Sequence, residues 1–181
     1  TRRDIQLSHM YYGRGLYFDA IALLENSLKE NPNSPYQNDI IQNIGYIYGT
    51  MGDTVSALSY FRRAMDNLSG KCDTYEYNVL LENIAVVLSQ QGKHDEAIKH
   101  IKTSYDHFTK VGDPHTSQRK YAELLTRASR YAEAKSMFAE YFRREQTRLM
   151  ENLDRMTLQQ RINFWGKERP LLSKCFMLED C

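Results

Sequence analysis

The sequence predicts an all-α fold: a superhelical stack of about four helix-turn-helix repeats, closed by further helices at the C-terminal end. Three observations carry this. Breakers are scarce, with four prolines and nine glycines in 181 residues, whereas an all-β sandwich needs a turn signal every ~10 residues. Four segments align on one another, beginning at Gly15, Gly52, Gly92 and Ser129 and reaching Ala20, Ala57, Ala97 and Ala134, so that alanine recurs at intervals of 37, 40 and 37 residues. Around each alanine the same apolar and small residues return at helical offsets, the mark of a repeated structural unit.

The offsets are regular. Four residues after each alanine stands Leu24, Phe61, Ile101 or Phe138, and three further on Ser27, Ala64, Ser104 or Tyr141. Upstream, apolar pairs sit four apart: Leu7 with Tyr11, Ile44 with Tyr48, Ile84 with Leu88, Tyr121 with Leu125. A small residue follows the first of each pair, namely Ser8, Gly45, Ala85 and Ala122. Small side chains let helix backbones approach, and large ones a turn away fill the gaps between ridges. One helix pair cannot bury its apolar face alone, but stacking on the next pair can.

In order along the chain, this places helices at roughly 3–14, 17–30, 37–51, 54–68, 74–91, 94–110, 115–128 and 131–153, in repeats of about 1–34, 37–71, 77–111 and 114–145. The breakers fall between them: Asn31-Pro32-Asn33-Ser34-Pro35, Ser69-Gly70-Lys71 and Gly112-Asp113-Pro114 separate repeats, while Gly15, Gly52 and Gly92 mark turns within them.

This pattern resembles the tetratricopeptide repeat (TPR) family, whose unit runs Leu-Gly-x-x-Tyr, Ala, Phe, Ala, Pro. The second repeat matches best, through Ile44, Gly45, Tyr48, Ala57, Phe61 and Ala64; the first carries Leu7, Ser8, Tyr11, Ala20 and Pro32. The resemblance covers about residues 1–145 and implies a right-handed superhelix that binds protein or peptide on its concave face. The spacings exceed the family's unit, and longer helices at Thr74–Gln91 and His94–Lys110 would absorb the difference.

Residues 146–181 depart from the repeat: the last repeat helix runs on, and Thr157 with Gln160 has capping-box spacing for a new helix. Leu158, Ile162 and Trp165 share its face, Pro170 ends it, and Leu171–Leu178 forms another apolar element. The simplest role is a cap over the open end of the stack. The alternative is a linker: Leu158, Arg161, Phe164 and Trp165 resemble the segment that follows TPR arrays in bacterial proteins with a caspase-like CHAT peptidase domain. That resemblance implies a non-catalytic, regulatory part of a larger bacterial protein, with any peptidase residues beyond Cys181. The chain opens at Thr1 and ends after an apolar stretch, so it reads as a piece of a longer protein.

Composition bounds the chemistry. With 41% apolar residues the chain is too apolar for disorder, and a net charge of +1 excludes a strongly basic nucleic-acid binder. Residues 1–113 hold 11 basic and 14 acidic groups and residues 114–181 hold 13 and 9, a mild asymmetry that suggests at most a basic end facing an acidic partner. No run of 18 apolar residues suggests a membrane span. Cys72, Cys175 and Cys181 form no CxxC, so neither a disulfide framework nor a zinc site is legible and a cytoplasmic setting is expected. Phosphate-loop, dinucleotide, zinc-protease and serine-hydrolase motifs are absent, so no catalytic residue, metal or cofactor is expected.

Register along the first helix of each repeat gives the groove face: Arg2, Ile5, His9 and Tyr12; Asp39, Gln42, Asn43 and Tyr46; Glu82, Asn83, Val86 and Gln90; Arg119, Lys120, Glu123 and Arg127. Of these, His9, Tyr12, Gln42, Asn43, Tyr46, Asn83, Arg119, Lys120, Glu123 and Arg127 are the candidate ligand contacts. Amides can bond a peptide backbone, rings can cover its side chains, and Arg119, Lys120 and Arg127 favour an acidic segment. The same residues would also serve as ordinary solvated helix positions. Ile5, His9 and Val79 stand where a clamp for chaperone C-terminal tails needs cations and Asn, which disfavours that ligand. A competing expectation is a homodimer, with Phe142, Leu149 and Trp165 packing against a second copy.

Overall fold

A computed structural model of the chain describes residues 1–68, 71 and 73–160. The described residues form eight helices in four antiparallel pairs: α1 (Arg2–Gly13) with α2 (Tyr17–Glu30), α3 (Gln37–Thr50) with α4 (Thr54–Asn67), α5 (Tyr75–Gln90) with α6 (His94–Lys110), and α7 (His115–Arg127) with α8 (Tyr131–Asp154). Each boundary lies within one residue of its sequence expectation. The third pair is longer than the second, with 16 and 17 residues against 14 and 14, which absorbs extra length in the later intervals.

The turns inside the pairs repeat one hydrogen-bond pattern. At the first, Gly15 N–H donates to the Tyr12 carbonyl and Leu16 N–H to that of Tyr11. The same two bonds recur at Gly52 and Asp53, Gly92 and Lys93, and Ser129 and Arg130. This closes the carbonyls at a helix end and requires a left-handed residue; Gly15, Gly52 and Gly92 hold φ of +76°, +83° and +77°, and Ser129 holds +60°. Side chains cap the starts of α4 and α5: Asp53 accepts from Ser56 N–H at 3.0 Å and Thr74 from Tyr77 N–H at 3.3 Å.

The aligned small residues sit where helices cross. Ser8, Ala85 and Ala122 are fully buried, as are Ala20, Ala57 and Ala97. Gly45 faces Phe61 so closely that an added Cβ would lie 2.8 Å from that ring. The core is continuous. One cluster runs from Ile41 through Phe61, Leu80, Ile101 and Leu125 to Ala134. A second holds Ala20, Leu24, Ile40 and Ile44. Leu28, Tyr48 and Tyr60 pack against both.

Across repeats, α1 touches α3, α3 touches α5 and α5 touches α7. The odd-numbered helices therefore form the inner row of the stack, and α1, α3 and α5 line one groove. At the other end, Thr157 N–H donates to Gln160 Oε1 at 2.9 Å and Gln160 N–H to Thr157 Oγ1 at 3.3 Å, the reciprocal cap the sequence predicted. Residues 158–160 begin that helix, with Leu158 76% exposed. Ile162, Phe164, Trp165, Pro170, the 171–178 element and all three cysteines lie outside the described residues. Among the described residues, no helix is long and apolar enough to cross a membrane.

Candidate binding groove

The inner row encloses a groove of about 490 Å³ between the first three repeats, lined by Arg2, Ile5 and Gln6 of α1, Tyr36, Asp39, Gln42, Asn43 and Tyr46 on and just before α3, and Asn83 of α5. Of the predicted contacts, Gln42, Asn43, Tyr46 and Asn83 meet here. Tyr46 is 50% exposed. Gln42 and Asn83 are half-buried and their amides have no hydrogen-bond partner among the described residues. The register did not select Gln6 or Tyr36. Tyr36 precedes α3 as its N-cap residue, and its signal was an aromatic ring directly after Pro35 in an otherwise polar linker.

His9 and Tyr12 lie further along α1, and they join repeats to each other. His9 Nε2 contacts Asn43 Oδ1 at 2.9 Å, and the Asn43 amide donates to the Asp39 carbonyl at 2.8 Å. The Tyr12 ring lies 5.6 Å from those of Tyr17 and Tyr46, and its hydroxyl is 3.4 Å from Thr50 Oγ1. The bond with Tyr12, then burial, pushes the Tyr46 hydroxyl above the usual tyrosine value. These side chains form a wall that fixes α1 against α3, and Asn43 is engaged on both its amide atoms.

The basic half differs from its expected form. Glu82 is not on the groove face but buried between α5, α6 and α7, its side chain 3% exposed. It accepts from Ser104 Oγ at 3.1 Å and from Ser117 Oγ, and Lys120 Nζ reaches in to its other oxygen at 2.6 Å. Lys120 thus neutralises an internal carboxylate. Arg119 pairs with Glu123 of the next turn at 3.4 Å, both side chains about half exposed, and exposed pairs of this kind are worth little. Arg127, in the last turn of α7, is exposed and has no ion-pair partner among the described residues. None of Arg119, Lys120, Glu123 and Arg127 lines the 490 Å³ groove.

For the alternative expectations, Phe142 and Leu149 are half-buried on α8, with Phe142 stacked on Phe138 at 6.1 Å. Trp165, needed for both the homodimer and the CHAT resemblance, lies outside the described residues. No group of three or more His, Cys, Asp or Glu that could hold a metal occurs among the described residues.

Antiparallel helix pairs in register, small residues at each crossing and an open inner groove define a helical-repeat scaffold. The chain belongs to the tetratricopeptide repeat family: family models described as tetratricopeptide repeat match residues 39–66 and 76–144. Its repeats are those of a general protein-interaction scaffold. Among solved structures, it is similar to BtubC (BKLC) from P. vanneervenii, with a TM-score of 0.67 at 15% identity over 77% of this chain and 61% of that one. It is also similar to a Rap protein complexed with competence and sporulation factor, with a TM-score of 0.68 at 12% identity over 76% of this chain and 40% of that one. A tetratricopeptide repeat protein from Parabacteroides merdae covers more of the chain, 92%, with 58% of its own length, at a TM-score of 0.57 and 18% identity. At these identities the likeness is one of fold. No curated protein sequence matches the chain.

Proposed function

We propose that the chain binds an extended segment of another protein in the groove formed by α1, α3 and α5, as the recognition part of a larger bacterial protein. One observation carries the reading: Gln42 and Asn83, on neighbouring inner helices, hold half-buried amides without partners beside the exposed ring of Tyr46. Each amide offers both a donor and an acceptor, which is what an extended backbone requires. Both amides remain open to solvent, so a bound backbone exchanges for water there at modest cost. The wall of His9, Asn43, Tyr12 and Tyr46 gives the groove a fixed shape before binding, which lowers the ordering cost. A complexed structural neighbour, the Rap protein with its factor, is in keeping with a stack of this fold taking a partner.

The test is selection from a random peptide library against the wild-type chain, with recovered peptides titrated against the double variant Gln42→Ala/Asn83→Ala. Binding weakened about tenfold or more, the worth of one or two good hydrogen bonds, supports the groove. Equal affinity for both proteins places the ligand elsewhere and removes this reading.

A further inference from the structure

The unengaged groups of the groove have a charge character that the sequence did not suggest. Asp39 lines it from the first turn of α3, and its carboxylate has no hydrogen-bond or ion-pair partner among the described residues. Tyr36, the residue that caps the start of α3 three positions before Asp39, lines the same groove. Glu76, in the first turn of α5, adds a second negative charge from the next repeat. The facing cation, Arg2 of α1, lines the groove but makes no ion pair with Asp39. His9 is engaged with Asn43.

We propose that the segment bound in this groove presents a basic side chain, lysine or arginine, that seats on Asp39 against the ring of Tyr36. The inference rests on the groove reading above and adds the chemistry of its occupant. A guanidinium or ammonium would give Asp39 a charge-assisted hydrogen bond, and the Tyr36 face would hold the same cation through its quadrupole. Glu76 would strengthen the site from the second repeat boundary. Burial first, then the charge of Glu76, already holds the Asp39 carboxyl above the usual carboxylate value, an unfavourable state that a bound cation relieves. The cations of α7 do not reach this position: none of Arg119, Lys120 and Arg127 lines the groove.

The experiment uses the whole chain and three peptide libraries of equal length and complexity, each with one fixed central residue: lysine, glutamine or glutamate. Enrichment from the lysine library is expected, with recovered peptides losing about tenfold in affinity on Asp39→Asn and exchanging preference towards the glutamate library on Asp39→Lys. Arg2→Ala should leave or sharpen the lysine preference. Circular dichroism of each variant checks that it remains folded. Peptides that depend on Gln42 and Asn83 but come from the glutamine or glutamate library overturn the basic-residue inference and leave the groove standing. Peptides indifferent to Gln42 and Asn83, or no enrichment from any library, overturn both.

Discussion

Ser129 is, among the described residues, the only non-glycine residue with positive φ, at +60°. It occupies the turn position that glycine fills in the other three repeats, and it makes the same two-bond turn with its successor. An L-residue in the left-handed region costs about 1–2 kcal/mol, of which glycine's larger unfolded-state entropy returns part. Ser129→Gly should therefore stabilise the chain by about 1 kcal/mol, read as a higher urea midpoint at unchanged slope; a lower midpoint would mean that the serine hydroxyl, 3.5 Å from the Tyr131 hydroxyl, matters more than the backbone. Lys120 shows the opposite economy. Removing it leaves the Glu82 carboxylate buried with only Ser104 and Ser117 as donors. Lys120→Ala should cost about 2 kcal/mol, and Lys120→Ala/Glu82→Gln should recover part of the loss, since a neutral amide needs no counter-charge. A double variant no better than the single one would show that the lysine stem, not its charge, is what packs there.

Two glycines of α3 separate close packing from helix preference. A Cβ on Gly45 would meet Phe61 ring carbons at 2.8 and 2.9 Å and Tyr60 Cβ at 3.2 Å, whereas one on Gly49 would meet Val87 Cγ2 at 3.4 Å. Gly45→Ala should destabilise by about 1–3 kcal/mol through overpacking, while Gly49→Ala should be neutral or stabilise by up to about 1 kcal/mol through helix propensity; thermal melts of the pair decide, and equal effects would refute the crossing geometry. Tyr60 of α4 donates to Glu25 of α2 at 2.9 Å, tying the second repeat to the first. Burial, that bond and the charge of Glu25 push its hydroxyl up to about 12. Unfolded tyrosine ionises near pH ~10, so the stability this group contributes is whole below that and is lost as pH rises towards about 12. Tyr60→Phe should flatten the loss of urea midpoint across that window, and an unchanged slope would exclude Tyr60 as its source. The helices themselves were legible because alanine, glycine and serine recur at crossings and breakers at turns, both local signals. The groove was legible only in part. Register put Gln42, Asn43, Tyr46 and Asn83 on the right face, but it also put Glu82 there. What turns Glu82 inward is the space and hydroxyls supplied by Ser104 and Ser117, on two other helices, and a one-helix register carries no information about those. His9 and Tyr12 were likewise read as ligand contacts because the next helix, which they bond, is invisible to such a pattern.

Over the whole molecule, stability is a chain of neighbour contacts, and the chain is uneven. In a stack each repeat is held by its own pair and by the next, so an end repeat has one interface where an inner one has two. The first helix is weakly held by this measure: Ser8 is the only buried residue of α1, whereas α5, in the middle, buries nine of its 16 residues. Besides its packing on α2, where Ser27 bonds Asp4 and the Thr1 amino group, α1 is fixed to the next repeat by the groove wall, His9 on Asn43 and Tyr12 on Tyr46 and Thr50. Opening of α1 should thus be cheaper than global unfolding and should open the groove with it, because Arg2, Ile5 and Gln6 form one of its sides. Native-state hydrogen exchange should show α1 amides exchanging by a low-energy opening, α5 and α6 only by global unfolding, and His9→Ala lowering protection in α1 without changing it in α5. A groove ligand should raise protection in α1 more than in any other helix, since binding to the closed form is linked to that opening. Uniform protection across the stack, or a ligand effect centred on α7, would show instead that the repeats unfold as one unit or that the partner sits at the basic end.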